Sequence, residues 1–199
     1  MSIVVIGVNH RTGPLSLLER VSIDPTDLPK AIAGLVSRTN VREAVVLSTC
    51  NRTEVYAVAE RFHGAYADIR DFFCELGGLQ PDDLHPHLYS QHDDAAVTHL
   101  FEVTSGIGSA VLGETEIVGQ VRAAWDIAQA EGGAKSTLNL LFRHALETGK
   151  RARTETAISR STASVSHAAV EMAHEHLDSL DGRRVLVLGA GEMGEGVAV

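Results

Sequence analysis

Two strand-forming stretches, residues 44–48 (AVVLS) and residues 52–59 (RTEVYAVA), are separated only by Thr49-Cys50-Asn51. Three residues can reverse a chain but cannot carry a crossover, so the two strands must pair antiparallel. A third apolar run rich in β-branched residues, 3–8, precedes them. Between it and the hairpin lies a helix over about 26–38, with Ala31, Ile32, Leu35 and Val36 on one face. A second helix, about 63–76, follows the hairpin and stops at Gly77-Gly78. A weak fourth strand is expected near 87–90. The order βαββαβ is that of the split βαβ, or ferredoxin-like, sheet, which puts the chain in the α+β class.

From residue 93 the pattern turns helical. Helices are expected over 93–104, 114–131 and 136–154, then a break at 157–162 and another helix over 164–180. The apolar run 184–188 (RVLVL) reads as a buried strand. It leads into Gly189-Ala190-Gly191-Glu192-Met193-Gly194. A strand followed by G-x-G-x-x-G is the dinucleotide fingerprint: glycines for a tight turn and close approach, and a helix N-terminus for the pyrophosphate. The plain alternative is a glycine-rich turn. The expected organisation is therefore a ferredoxin-like domain with added helices over 1–156. The first βα unit of an incomplete Rossmann domain follows over 157–199. An isolated βα unit has no sheet to complete and should hold a dinucleotide poorly.

Composition excludes several classes. The formal net charge of −9 argues against a general nucleic-acid binder. Residues 143–160 nevertheless carry five basic and two acidic side chains. This stretch (Arg143, Lys150, Arg151, Arg153, Arg160) is either a solvated helix face or a contact for RNA phosphate. No run is long and apolar enough to span a bilayer. The first ten residues lack the pattern of a secretory signal, and two cysteines fit a reducing cytoplasm better than a disulfide framework. Ten histidines occur without H-E-x-x-H or C-x-x-C spacing, so no metal site is expected.

Three places can carry chemistry. Cys50 sits at a strand junction, where a side chain is presented at a sheet end, and Arg52 two residues on could lower its pKa or hold a carboxylate. Against this, a lone cysteine is usually a small buried apolar residue. His99 shares a helix with the core residues Leu100 and Phe101, and is either a satisfied core histidine or a functional one. Residues 105–120 (SGIGSAVLGETEIVGQ) break two helices and offer Ser109, Glu114, Thr115, Glu116 and Gln120. Glu116 and Gln120 are four apart and share a helical face. This stretch is either a capped helix–loop–helix or the wall of a pocket for a small polar substrate.

Four blocks in this order resemble the glutamyl-tRNA reductases: IGVNHRTGPLSLLER from residue 6, LSTCNRTEVY from 47, HLFEVTSGIGSAVLGETEIVGQV from 99 and VLVLGAGEMG from 185. The resemblance implies an NADPH-dependent enzyme of tetrapyrrole synthesis that reduces the glutamyl ester of tRNA(Glu) to glutamate-1-semialdehyde. It implies that Cys50 is the nucleophile that forms a thioester, and that His99 polarises or transfers a proton. Thr49, Asn51 and Arg52, with Ser109, Glu114, Thr115, Glu116 and Gln120, would hold the glutamyl group. Gly189, Ala190, Gly191, Glu192, Met193 and Gly194 would bind NADPH. Charged tRNA(Glu) and the aminomutase that takes the semialdehyde are the implied partners, and the full-length family member is a cytoplasmic homodimer. The rest of the family's NADPH domain and its helical dimerisation domain are not in this sequence. The chain itself is therefore expected to form or hydrolyse the thioester without completing the reduction.

Overall fold

The computed structural model describes residues 1–158 and 165–188. β1 (Ser2–Asn9), β2 (Val41–Thr49), β3 (Arg52–Ala59) and β4 (Tyr89–His92) form one sheet of order β2-β3-β1-β4, every neighbouring pair antiparallel. β3 is thus inserted between β1 and β2, which is the split βαβ arrangement. α1 (Leu15–Val21), α2 (Leu28–Val36) and α3 (Phe62–Gly77) cover one face. α5 (Asp94–Ser105), α6 (Glu116–Ala130) and α7 (Ser136–Glu155) cover the other, and the short α4 (Pro81–Leu84) leads into β4. α8 (Val165–Leu177) follows.

Helices on both faces explain why all eight residues of β3 are buried. Val55, Ala57 and Ala59 alternate along the strand with Glu54, Tyr56 and Val58, but the second set does not meet water. Tyr56 packs edge-to-face on Phe142 of α7 at a centroid distance of 5.5 Å.

Glu43 ties the second helical layer to the sheet. It lies on β2 beside a register shift, and its carboxylate accepts the N–H groups of Lys135 (2.9 Å), Thr137 (3.3 Å) and Leu138 (2.9 Å). These are free donors at the start of α7, so a strand residue caps a helix more than ninety positions away in sequence. Gly133 completes the joint by accepting the edge-strand N–H of Ala44 (2.9 Å).

The structure departs from the sequence reading in three places. α1 has no counterpart in the periodicity pattern. It begins after Pro14 and exists because Leu17, Leu18 and Val21 bury one face. The fourth strand lies two residues later than expected, after a 3-10 turn over His85–His87. Residues 184–188 form no strand. They join no sheet, and Leu186 and Leu188 are 82% and 87% exposed. A strand is completed only by a neighbour that takes its backbone hydrogen bonds. The six residues from Gly189 to Gly194 lie outside the described residues.

Candidate active site

The β2–β3 hairpin turns through Cys50 and Asn51, with Thr49 opposite Arg52. Neither turn residue has a positive φ. The Thr49 hydroxyl accepts the N–H groups of Asn51 and Arg52, both at 3.2 Å, which closes the turn from inside. From outside, His10 N–H donates to Asn51 O at 2.9 Å. Cys50 is exposed at the tip. Beside it is a cavity of about 150 Å³ lined by Thr49, Cys50, Asn51, Arg52, Ser109, Ala110, Glu114, Glu116, Ile117 and Gln120. Two segments more than fifty residues apart therefore meet around one sulfur.

Burial pushes the Cys50 thiol above its ordinary value. A backbone hydrogen bond at Cys50 partly offsets this, while Glu116 and Glu114 add to the rise. Arg52 does not depress the thiol, contrary to the sequence expectation, because its charge is held elsewhere. Its guanidinium is buried, donates to Glu54 Oε1 at 2.7 Å and to Gly108 O at 2.6 Å, and forms an ion pair with Glu54. Two of its five N–H donors are thus spent.

Glu54 is the residue that sequence reasoning missed. It is fully buried. Its carboxylate accepts Arg52, the Tyr56 hydroxyl (2.5 Å), the Tyr89 hydroxyl and His99 Nε2 (3.0 Å). Burial raises its pKa, but the His99 hydrogen bond, the Arg52 and His99 charges and the Tyr56 hydroxyl together lower it from 4.5 to about 2. An ionised carboxylate only accepts, so the His99 Nε2–H donates to it. Gly7 makes the arrangement possible. It lies in register between Glu54 and Tyr89, and a Cβ there would meet Thr53 O at 2.6 Å and Glu54 Cγ at 2.9 Å. The signal in the sequence was the triplet Arg52, Glu54, Tyr56 on one face of a strand flanked by a glycine-bearing partner.

His99 lines a neighbouring cavity of about 230 Å³, and Arg52 lines both cavities. Glu114 has a structural duty as well. It accepts Ser109 Oγ at 3.1 Å and the N–H groups of Glu116 (2.9 Å) and Ile117 (3.3 Å), which caps α6. Thr115 faces the other way, into a separate cavity. A further cavity, about 460 Å³, lies between α2 and α3 and contains no candidate residue. Among the described residues no cluster suited to a metal ion occurs, and no helix is long and apolar enough to cross a membrane.

Comparison with known proteins matches the chain to a family. Residues 6–156 match the family profile described as glutamyl-tRNAGlu reductase, N-terminal domain. A glutamyl-tRNA reductase of Paenibacillus macerans is 45% identical over 195 residues, covering 98% of this chain and 45% of that protein. One from Frankia alni is 48% identical over 180 residues, covering 90% and 38%. Among solved structures, the glutamyl-tRNA reductase from Methanopyrus kandleri superposes with a TM-score of 0.69 at 39% identity, covering 98% of this chain and 45% of that one. The chain spans a little under half the length of the relatives it matches.

Proposed function

The chain belongs to the glutamyl-tRNA reductase family through its N-terminal domain, and on that basis we propose that the Cys50 cavity is an acyl-transfer site. The observation that carries this reading is the convergence of residues 49–52 and 109–120 on the Cys50 sulfur.

The substrate is the ester that joins glutamate to the 3′ end of tRNA(Glu). Cys50 Sγ, as thiolate, attacks the ester carbonyl carbon. The C–S bond forms, the C–O bond to ribose breaks, and the ribose oxygen takes up the proton that the thiol gave up. The cavity suits a zwitterionic acyl group. Glu116 faces it as an exposed carboxylate for the α-ammonium, and Glu114 adds negative charge behind its capping bonds. Arg52 is the cation that the cavity lining offers the side-chain carboxylate, while Thr49, Asn51, Ser109 and Gln120 supply neutral polar contacts. Desolvation is the main cause of the raised thiol, and an ammonium bound at Glu116 offsets the smaller contribution of that carboxylate. His99 serves from the neighbouring cavity, where Glu54 holds its Nε2–H.

Reduction of the thioester needs a hydride donor, which the resemblance assigns to NADPH. The residues that would hold it, Gly189 to Gly194, lie outside the described residues. Without that donor, water is the alternative acceptor for the acyl-enzyme.

Incubation with glutamyl-tRNA, followed by mass spectrometry of the intact chain, tests the reading. One glutamyl adduct on Cys50 is expected, with no semialdehyde released, and Cys50→Ser should show no adduct. Failure of the wild-type chain to become acylated, or an adduct that survives Cys50→Ser, would sink it.

A further inference from the structure

Between α6 and α7 lies a cavity of about 330 Å³ that the acyl-transfer chemistry does not use. Arg122, Lys150 and Arg153 line it together with Thr115 and Thr154, and no carboxylate does. A solvated helix face is the simpler account of cations on α7, and Arg151 fits it, paired with Glu155 four residues on. The cavity does not fit it. Arg122 comes from a different helix from Lys150 and Arg153, so the periodicity of neither helix explains their convergence. Arg122 and Lys150 are exposed and form no ion pair among the described residues.

Arg153 is held still. Its NH1 donates to Thr104 O (2.9 Å) and Gly149 O (3.1 Å), and its NH2 to Glu114 O (3.0 Å). Its buried Nε has no acceptor among the described residues. Main-chain carbonyls orient the guanidinium, and the nearby Glu114 carboxylate offsets part of its charge. The result is a preordered anion site on a chain of net charge −9.

Its position selects the anion. Thr115 faces this cavity, while its neighbours Glu114 and Glu116 face Cys50. The two cavities thus lie back to back across one residue of backbone. We propose that the Arg122–Lys150–Arg153 cavity holds a backbone phosphate of the RNA strand whose aminoacyl end enters the Cys50 cavity. This assignment rests on the acyl-transfer reading. A free phosphate or nucleotide offers the same chemistry, but only a strand links the two cavities in one ligand.

The test measures Cys50 acylation by glutamyl-tRNA as a function of tRNA and salt concentration. Replacing both exposed cations (Arg122→Ala with Lys150→Ala) should raise the half-saturating tRNA concentration about tenfold at low salt. It should also reduce the slope of log affinity against log salt by roughly 0.7–0.9 for each phosphate that is no longer neutralised. Arg143→Ala removes an exposed cation of α7 outside the cavity and should change neither quantity. A small glutamate thioester without phosphate should acylate the wild-type chain and the double variant alike. The proposal is overturned by an unchanged half-saturation, by an equal effect of Arg143→Ala, or by an equal loss with the phosphate-free donor. It is also overturned if millimolar inorganic phosphate competes as well as an oligonucleotide ending in CCA. If the wild-type chain is acylated by neither donor, the acyl-transfer reading fails. Anisotropy with uncharged tRNA, comparing wild type with the double variant, then decides the phosphate site alone.

Discussion

Glu54 concentrates more of this protein's electrostatics than any other described side chain. A carboxylate out of water is costly unless its lone pairs are filled, and here one guanidinium, two phenols and an imidazole fill them. Its folded-state pKa lies below its ordinary value, so its stabilising contribution is fully present above pH 4.5 and is lost as pH falls toward 2. The size of that shift corresponds to about 3 kcal/mol at neutral pH. Glu54→Gln should therefore destabilise the chain by about 3–5 kcal/mol at pH 7, because it leaves the Arg52 guanidinium buried without its counter-charge. Urea unfolding at a series of pH values checks this. The gap between wild type and variant should narrow as pH falls toward 2, and a gap independent of pH would show that the charge is not what matters.

Elements in this fold are started by side chains remote from their own caps. Thr115 and Lys135 occupy the N-cap positions of α6 and α7, yet neither side chain makes a capping hydrogen bond. Glu114 does the work for α6 and Glu43 for α7. The first arrangement fixes the wall of the Cys50 cavity, and the second locks the helical layer to β2. Glu43→Ala should cost about 1–2 kcal/mol, the upper range for a lost cap. Amide exchange should accelerate first at Lys135, Thr137 and Leu138. If protection at these three amides is unchanged, Glu43 is not what holds the start of α7.

Across the molecule, one core runs through the sheet and both helical layers up to Leu146, and no described side chain of α8 belongs to it. Among the described side chains of α8 no apolar one is buried, and Met172 is 69% exposed. A helix of thirteen residues is marginal in water without an apolar face to bury. Hydrogen exchange should therefore show α8 opening by local fluctuation, while α5 and α7 exchange only with global unfolding. Protection of α8 equal to that of α7 would mean that a partner surface covers it.

The sheet order was legible in the residues alone, because three residues between two strands admit only a hairpin and the βαββαβ order admits few topologies. So were the two segments that bear the candidate chemistry, since Thr49, Cys50, Asn51 and Arg52 and the glycine-bounded residues 109–120 are local patterns. What those residues do to one another was settled by packing. Arg52 proved to be paired by Glu54, Glu114 to cap α6 while lining the cavity, and Arg122 to join Lys150 and Arg153 across two helices. The strand expected at 184–188 failed for the same reason. Periodicity reports which side of an element is apolar, whereas an ion pair, a cap or a strand ladder depends on the group placed opposite, and that group is set by how the chain folds back on itself.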